Sequence, residues 1–275
     1  FRSGAAGFYD LADDGGTSNL GGFKSSCTSN LIVAGGLLNA PEYTRTCSCN
    51  YQNQTSLALI HDPRIEQWSF TPLRGTIDRI ERLGLNFGAY GERKDSAGTL
   101  WIDSPNVSGS SLEPSLEIEG ELSYFRMHSA WVKSESTSEY PWVACSGVEG
   151  IRTLKLQASD TDQPQQYKVR LHFMEPSAAL TRARRTGTMR DKFLCEVAAK
   201  PGPDADVQPS ERVFDIELEG EVVAMGVDIV KEAGAVNRPV VKTFDIEAAR
   251  TITIRLNPNK NSKPAILSGI EIIAL

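Results

Sequence analysis

Histidine, cysteine, basic charge and long apolar runs are all scarce in this chain, and each scarcity excludes something. The 275 residues hold 3 His and 5 Cys. His61, His128 and His172 are scattered, no C-x-x-C pair occurs, and no His stands at metal-ligand spacing from a Cys. That pattern argues against a zinc site, and no metal or cofactor is expected. Lys and Arg total 29 against 35 Asp and Glu, a formal charge of −6. Nucleic-acid binding needs a basic surface to neutralise phosphates, so an acidic chain argues against that partner. The longest apolar stretch, Leu31 to Leu38, contains two glycines. It falls far short of the ~20 residues that span a bilayer, so no membrane span is expected. Catalytic signatures are missing too: there is no G-x-S-x-G elbow, H-E-x-x-H, P-loop or nucleotide-binding glycine fingerprint.

What remains is a globular composition, 40% hydrophobic and 23% charged, long enough for one large β domain or two small ones. Residues 1–70 are rich in Gly, Ser, Thr and Asn, with short apolar runs such as Leu31-Ile32-Val33 and Ser56 to Ile60. These predict a few short strands with wide loops, and too little apolar surface to fold well alone. The chain opens at Phe1 without an initiator Met, and is expected to be a piece of a longer protein. Cys27, Cys47 and Cys49 sit together in this zone and read as a disulfide region, which implies an oxidising, extracytoplasmic setting. Cys27 is expected to pair with Cys47 or Cys49, unless a residue upstream claims it. Cys145 and Cys195 fit either a disulfide or two buried thiols.

From residue 71 onward, period-two alternation takes over. In Tyr167 to Phe173 every odd-numbered residue is apolar and every even one polar. Phe214, Ile216 and Leu218 repeat the pattern, as do Ile252, Ile254 and Leu256, then Ile270 and Ile272. Alternation of this length predicts strands with one buried face. Val169, Leu171, Phe173, Phe214, Ile216, Ile252, Ile254 and Ile270 should therefore share one core, with Lys168, Arg170, His172 and Glu217 facing outward. Gly150, Gly220, Gly234 and Gly269 read as turn residues. Many alternating strands without helical periods predict an all-β, antiparallel sandwich over 71–275. Pro176 to Arg185 fits a short helix or a loop.

Four blocks then resemble the malectin-type domain. They are Tyr167 to Glu175, Arg212-Val-Phe-Asp-Ile-Glu-Leu-Glu-Gly220, Val227 to Gly234, and Ile252 to Pro258 followed by Pro264 to Ile273. The resemblance covers about residues 73–275 and implies a jelly-roll β-sandwich whose activity is non-catalytic carbohydrate binding. Residues 1–68 resemble the tail of a PQQ-binding-like β-propeller through Phe1 to Gly4, Phe8 to Asp10, Cys27, Gly36 to Pro41 and Cys47-Ser-Cys49. That resemblance implies an extracytoplasmic bacterial protein with the rest of the propeller upstream as a partner; no quinone-site residue is present in this segment. The chain departs from animal malectin at Pro176-Ser177-Ala178, where aromatics would follow the strand, and around Asn261 to Pro264, where an acidic residue would stand. The animal sugar specificity is therefore not carried over.

Binding a sugar needs aromatic faces for the apolar side of pyranose rings and planar polar groups for the hydroxyls. The Gly-rich stretch from Asn86 to Trp101 offers Tyr90 with Glu92, Arg93 and Asp95. It also fits a plain turn between strands, with Trp101 in the core and Asp95 capping a loop. A second stretch offers Tyr124, Trp131, Tyr140 and Trp142. The expected carbohydrate site is Tyr90, Asp95, Tyr124 and Trp142, converging on one cleft. The basic residues Arg182, Arg184, Arg185, Arg190 and Lys192 fit either an acidic-polysaccharide contact or a solvated loop. The alternatives to a lectin are a structural module packing against a propeller or another protein, and an accessory part of an enzyme whose active site lies upstream.

Overall fold

The computed structural model describes residues 6–9, 17–19, 31–41, 56–60, 68, 75–77, 79–106, 112–134, 140–177 and 211–275. Cys27, Cys47, Cys49, Cys195 and the basic residues from Arg182 to Lys192 lie outside these, as does most of Pro176 to Arg185. The chain divides into two compact units, Phe1–Thr71 and Pro72–Leu275.

The first unit pairs β1 (Gly7–Tyr9) with β2 (Thr17–Asn19) and builds a three-stranded antiparallel sheet from β3 (Ile32–Ala34), β4 (Leu37–Ala40) and β5 (Leu57–Ile60). Between β3 and β4 lie only Gly35 and Gly36, both at positive φ. Two consecutive residues at positive φ match the right-handed twist of a hairpin, which is why Gly-Gly serves there.

The second unit contains a small parallel pair, β6 (Gly75–Ile77) with β10 (Leu112–Pro114), and two six-stranded sheets. One sheet runs β11 (Leu116–Arg126), β12 (Ser146–Gln157), β17 (Thr251–Pro258), β14 (Phe214–Leu218), β15 (Glu221–Val227), with β18 (Ile266–Leu267) also on β12. The other runs β16 (Pro239–Ala248), β13 (Gln165–Met174), β19 (Gly269–Ala274), β7 (Arg82–Phe87), β9 (Leu100–Ser104), β8 (Arg93–Lys94). Among the described residues, helix is confined to short pieces, Ser129–Trp131, Pro141–Ala144 and Ile229–Ala233. The protein is nearly all β, and among the described residues its pairing is antiparallel apart from β6 with β10 and β7 with β9.

The alternating residues meet between the sheets. Val169, Leu171, Phe173, Phe214, Ile216, Ile252, Ile254 and Ile270 are all fully buried members of one apolar core. Phe173 from one sheet and Phe214 from the other bring their rings to 5.6 Å. Burying side chains of this size from two facing sheets is the main favourable term for a sandwich.

Two glycines expected in turns lie elsewhere. Gly150 sits inside β12 at φ 88, opposite a register shift around Gly120. A Cβ there would lie 2.0 Å from the Glu121 carbonyl oxygen, so the bulge requires glycine. Gly269 opens β19, and what it accommodates is described below. Gly220 and Gly234 do close turns, the latter ending the helix Ile229–Ala233.

Candidate functional site

The outer face of the β13 sheet is not bare. His172 was expected to face solvent, and it does point away from the core, yet it is fully buried. Trp101, on β9, lies over the neighbouring strands. A Cβ on Gly84 would meet its ring at 2.2 Å, and one on Gly269 would meet Val143 at 2.5 Å and Trp101 at 3.1 Å. The absent side chains at these two positions make room for a second, aromatic tier.

That tier is Trp101, Tyr140, Trp142 and His172. Trp101 presents near-perpendicular contacts to Trp142 at 5.6 Å, Tyr140 at 5.8 Å and His172 at 5.2 Å. Tyr140 stacks on His172 at 6.0 Å and leans on Trp142 at 5.4 Å. Edge-to-face contacts of this kind add roughly 0.5–1.5 kcal/mol each beyond area burial. Tyr140 holds φ 41, ψ 82 immediately before Pro141. A bulky residue in the left-handed region is costly and persists only where its surroundings impose it, commonly at functional sites.

Polar groups frame the tier. Asp95 Oδ1 accepts from the backbone N–H of Ala97 and Thr99, each at 2.9 Å, and Oδ2 accepts from Trp101 Nε1 at 3.0 Å. Asp95 therefore caps its own loop and pins the buried indole, as the turn alternative describes. The Tyr140 hydroxyl is pushed up from its ordinary pKa by burial, then by the charge of Asp95 and a hydrogen bond to it, and by Glu271, with Arg170 opposing. Glu271, buried on β19, accepts from Thr99 Oγ1 at 2.6 Å and from Arg170 at 2.7 Å. Arg93 on β8 holds its guanidinium 4.8 Å from the Trp142 ring centroid. Behind the tier, Asn86 donates to the Trp142 carbonyl at 3.4 Å and accepts from Ser146 at 3.2 Å. Cys145 is a buried thiol donating to the same carbonyl at 3.3 Å.

Of the four expected site residues, Asp95 and Trp142 come together through Trp101. Trp142 is only 9% exposed, so it backs Tyr140 rather than presenting a bare face. Tyr90 is 39% exposed, and its contact is with the Arg126 guanidinium, 3.8 Å above its ring. Arg126 also donates to the carbonyls of Gly88 and Ala89, holding the turn that carries Tyr90. Tyr124 stands two residues from Arg126 on β11, packed against the core, and burial raises its hydroxyl pKa. Sequence reasoning passed over Arg170, Glu271 and Asn86, and chose against Tyr140. The available signal was the polar alternation of β13 and β19 itself, which marks one outer face. Glu217, expected to face outward, accepts from Arg255 at 2.6 Å on that outer face, while Glu219 lies in the turn after β14. Among the described residues no group of three His, Cys, Asp or Glu stands close enough to hold a metal ion, and no helix is long and apolar enough to cross a membrane.

A family model for the malectin domain matches residues 157–266, from the end of β12 to the start of β18. No curated protein matches the chain. Among solved structures, the chain is similar to a β-glucuronidase of Bacteroides uniformis at 18% identity and a TM-score of 0.47, covering 87% of this chain and 22% of that one. It is also similar to the ANXUR2 extracellular domain of Arabidopsis thaliana at 15% identity and 0.48, covering 70% and 48%. The ANXUR1 extracellular domain of the same plant is comparable at 16% and 0.44, covering 70% and 47%. The chain thus spans about a fifth of the glucuronidase and about half of each plant extracellular domain.

Proposed function

We propose that residues 71–275 are a non-catalytic carbohydrate-binding module of an extracytoplasmic bacterial protein. The observation that carries this reading is Tyr140, partly exposed and held in a left-handed conformation at the head of an aromatic tier. The malectin match over 157–266 supports the class. In this reading the Tyr140 ring takes the C–H face of a pyranose, and Arg93 at the rim reaches the hydroxyls. Asp95 and Trp142 fix the Tyr140 ring from two sides, so the platform is preorganised and loses little freedom on binding. Tyr90 is a second stacking surface, and Tyr124 stands near the arginine that holds it.

A glycan array on the intact chain, including acidic polysaccharides, tests the proposal. Tyr140→Ala should weaken any hit about ten- to hundred-fold, from the roughly 1–3 kcal/mol that one stacking ring or buried hydrogen bond contributes. Tyr140→Ala also gives up ring contacts with Trp101, Trp142 and His172, so it should melt lower while staying folded at 25 °C by circular dichroism, and Trp142→Ala should lose binding and stability together. Undiminished binding by Tyr140→Ala would remove the platform from the site.

A second reading, a packing module joined to a propeller or another protein, draws on the first unit. Val33 and Ile60 are 81% and 70% exposed on the sheet of β3, β4 and β5, apolar surface of the kind that marks contact faces. Residues 1–70 are, in this proposal, the tail of a PQQ-binding-like propeller, and an enzyme active site would lie on its upstream part. An array without hits favours this reading.

A further inference from the structure

The loop between β8 and β9 has an exposed tip, Ser96 to Gly98, yet its base is tied into the sheet. The Asp95 N–H donates to the Thr99 carbonyl and the Gly98 N–H to the Asp95 carbonyl, each at 3.0 Å. Arg82, on β7, donates through Nη1 to the Ala97 carbonyl and to Thr99 Oγ1, each at 3.3 Å. Thr99 Oγ1 donates in turn to Glu271 Oε1, on β19, at 2.6 Å. The other oxygen of Glu271 accepts from Arg170, on β13, at 2.7 Å. Thr99 and Glu271 are both fully buried. Three strands of one sheet thus hold a five-residue loop through a single carboxylate and its arginines.

That loop spends the Asp95 carboxylate inside the protein. Asp95 accepts from the N–H groups of Ala97 and Thr99 and from Trp101 Nε1, and the Tyr140 hydroxyl donates to it as well. A carboxylate offers about four lone-pair sites, so these donors fill it and leave none for a ligand. A phenolic hydroxyl has one proton. With that proton committed to Asp95, the Tyr140 oxygen keeps only lone pairs for whatever approaches from solvent.

We infer, on the carbohydrate reading of the platform, that Thr99, Glu271 and Arg170 are its positioning residues: they aim Asp95 at Tyr140 and so make the Tyr140 oxygen an acceptor for a ligand donor. The group that meets this oxygen is a sugar hydroxyl or an acetamido N–H. A carboxylate has no proton to give and is excluded from that place. Desolvation offsets much of the attraction in a buried ion pair, so the gain from Glu271 and Arg170 is a fixed geometry more than net stability.

The test is a set of variants of the intact chain, each titrated by calorimetry with the strongest glycans found by array. Tyr140→Phe keeps the ring and removes the acceptor, so binding should weaken about three- to ten-fold. Thr99→Val keeps the side-chain shape and both charges while cutting the tie to Glu271, and should weaken the same glycans by a similar factor. Added to Tyr140→Phe, it should cost less than about two-fold more, because both changes act through one hydrogen bond. A residue that only supported the fold would weaken the parent and Tyr140→Phe alike. Glu271→Gln provides the same comparison if Thr99→Val does not fold. Undiminished binding by Tyr140→Phe or by Thr99→Val, or losses that simply add in the double variant, would each overturn the assignment while the carbohydrate reading stands. An array without hits removes that reading and the assignment together.

Discussion

Replacing Arg212 with Met should be the most destabilising single polar substitution in the sandwich. The Arg212 side chain is 4% exposed and bridges two carboxylates: Nε meets Glu175 Oε2 at 2.7 Å, and Nη2 meets Glu149 Oε1 at 2.9 Å. Glu149 belongs to β12, Glu175 follows β13 in the other sheet, and Arg212 leads into β14. The network therefore ties the two sheets together and holds both ends of the connection between β13 and β14. Burial works against the guanidinium charge, but the hydrogen bonds and charge of Glu175, then those of Glu149, outweigh it and raise its pKa. Removing the cation leaves the buried Glu149 and the half-buried Glu175 carboxylates without it, and breaking a buried pair from one side costs about 3–5 kcal/mol. At about 2–4 °C per kcal/mol for a unit of this size, melting should drop by roughly 6–20 °C. Calorimetry on parent and variant measures this directly. Adding Glu149→Gln and Glu175→Gln to Arg212→Met should restore part of the loss, because the uncompensated charges go with them. A drop under about 2 °C for Arg212→Met alone would show that water solvates this network, and would refute the reasoning.

The other expectations are simpler. Gly84→Ala should displace Trp101, since a Cβ there falls 2.2 Å from its ring. A loss of about 1–3 kcal/mol, read by denaturant titration together with a shift in tryptophan emission, is expected from overpacking; unchanged emission would contradict the placement of the indole. Alkaline pH should destabilise the fold. Tyr124, Tyr140 and Tyr167 all have raised pKa values, burial being the first cause in each. The unfolded chain gives up phenolic protons near pH ~10 that the folded one retains, so stability falls as pH climbs through that value. Melting curves at pH 8.5 and above 10 measure the slope, and Tyr140→Phe should flatten it; an identical slope would mean that this hydroxyl is solvated.

The core was legible because its signal is local. Alternation from Tyr167 to Phe173 marks one face of one strand, and the same holds at Phe214, Ile252 and Ile270; a strand repeats every two residues wherever it lies. Turn residues were legible for the same reason at Gly220 and Gly234, where the backbone conformation depends on near neighbours. Alternation could not show whether the other face would be covered. His172 reads as an outward polar residue, and it is one; only the arrival of Trp101 and Tyr140 from elsewhere in the chain buries it. Gly269 reads as a turn, yet its lack of a side chain is needed first for Val143 and the Leu85 carbonyl, and then for the Trp101 ring, all from distant parts of the chain. Arg212 finds carboxylates 37 and 63 residues away, a pairing that no periodicity carries. Local preference chose the strands and their inner faces, and the packing of distant segments decided which polar residues would be sealed, paired or left at a surface.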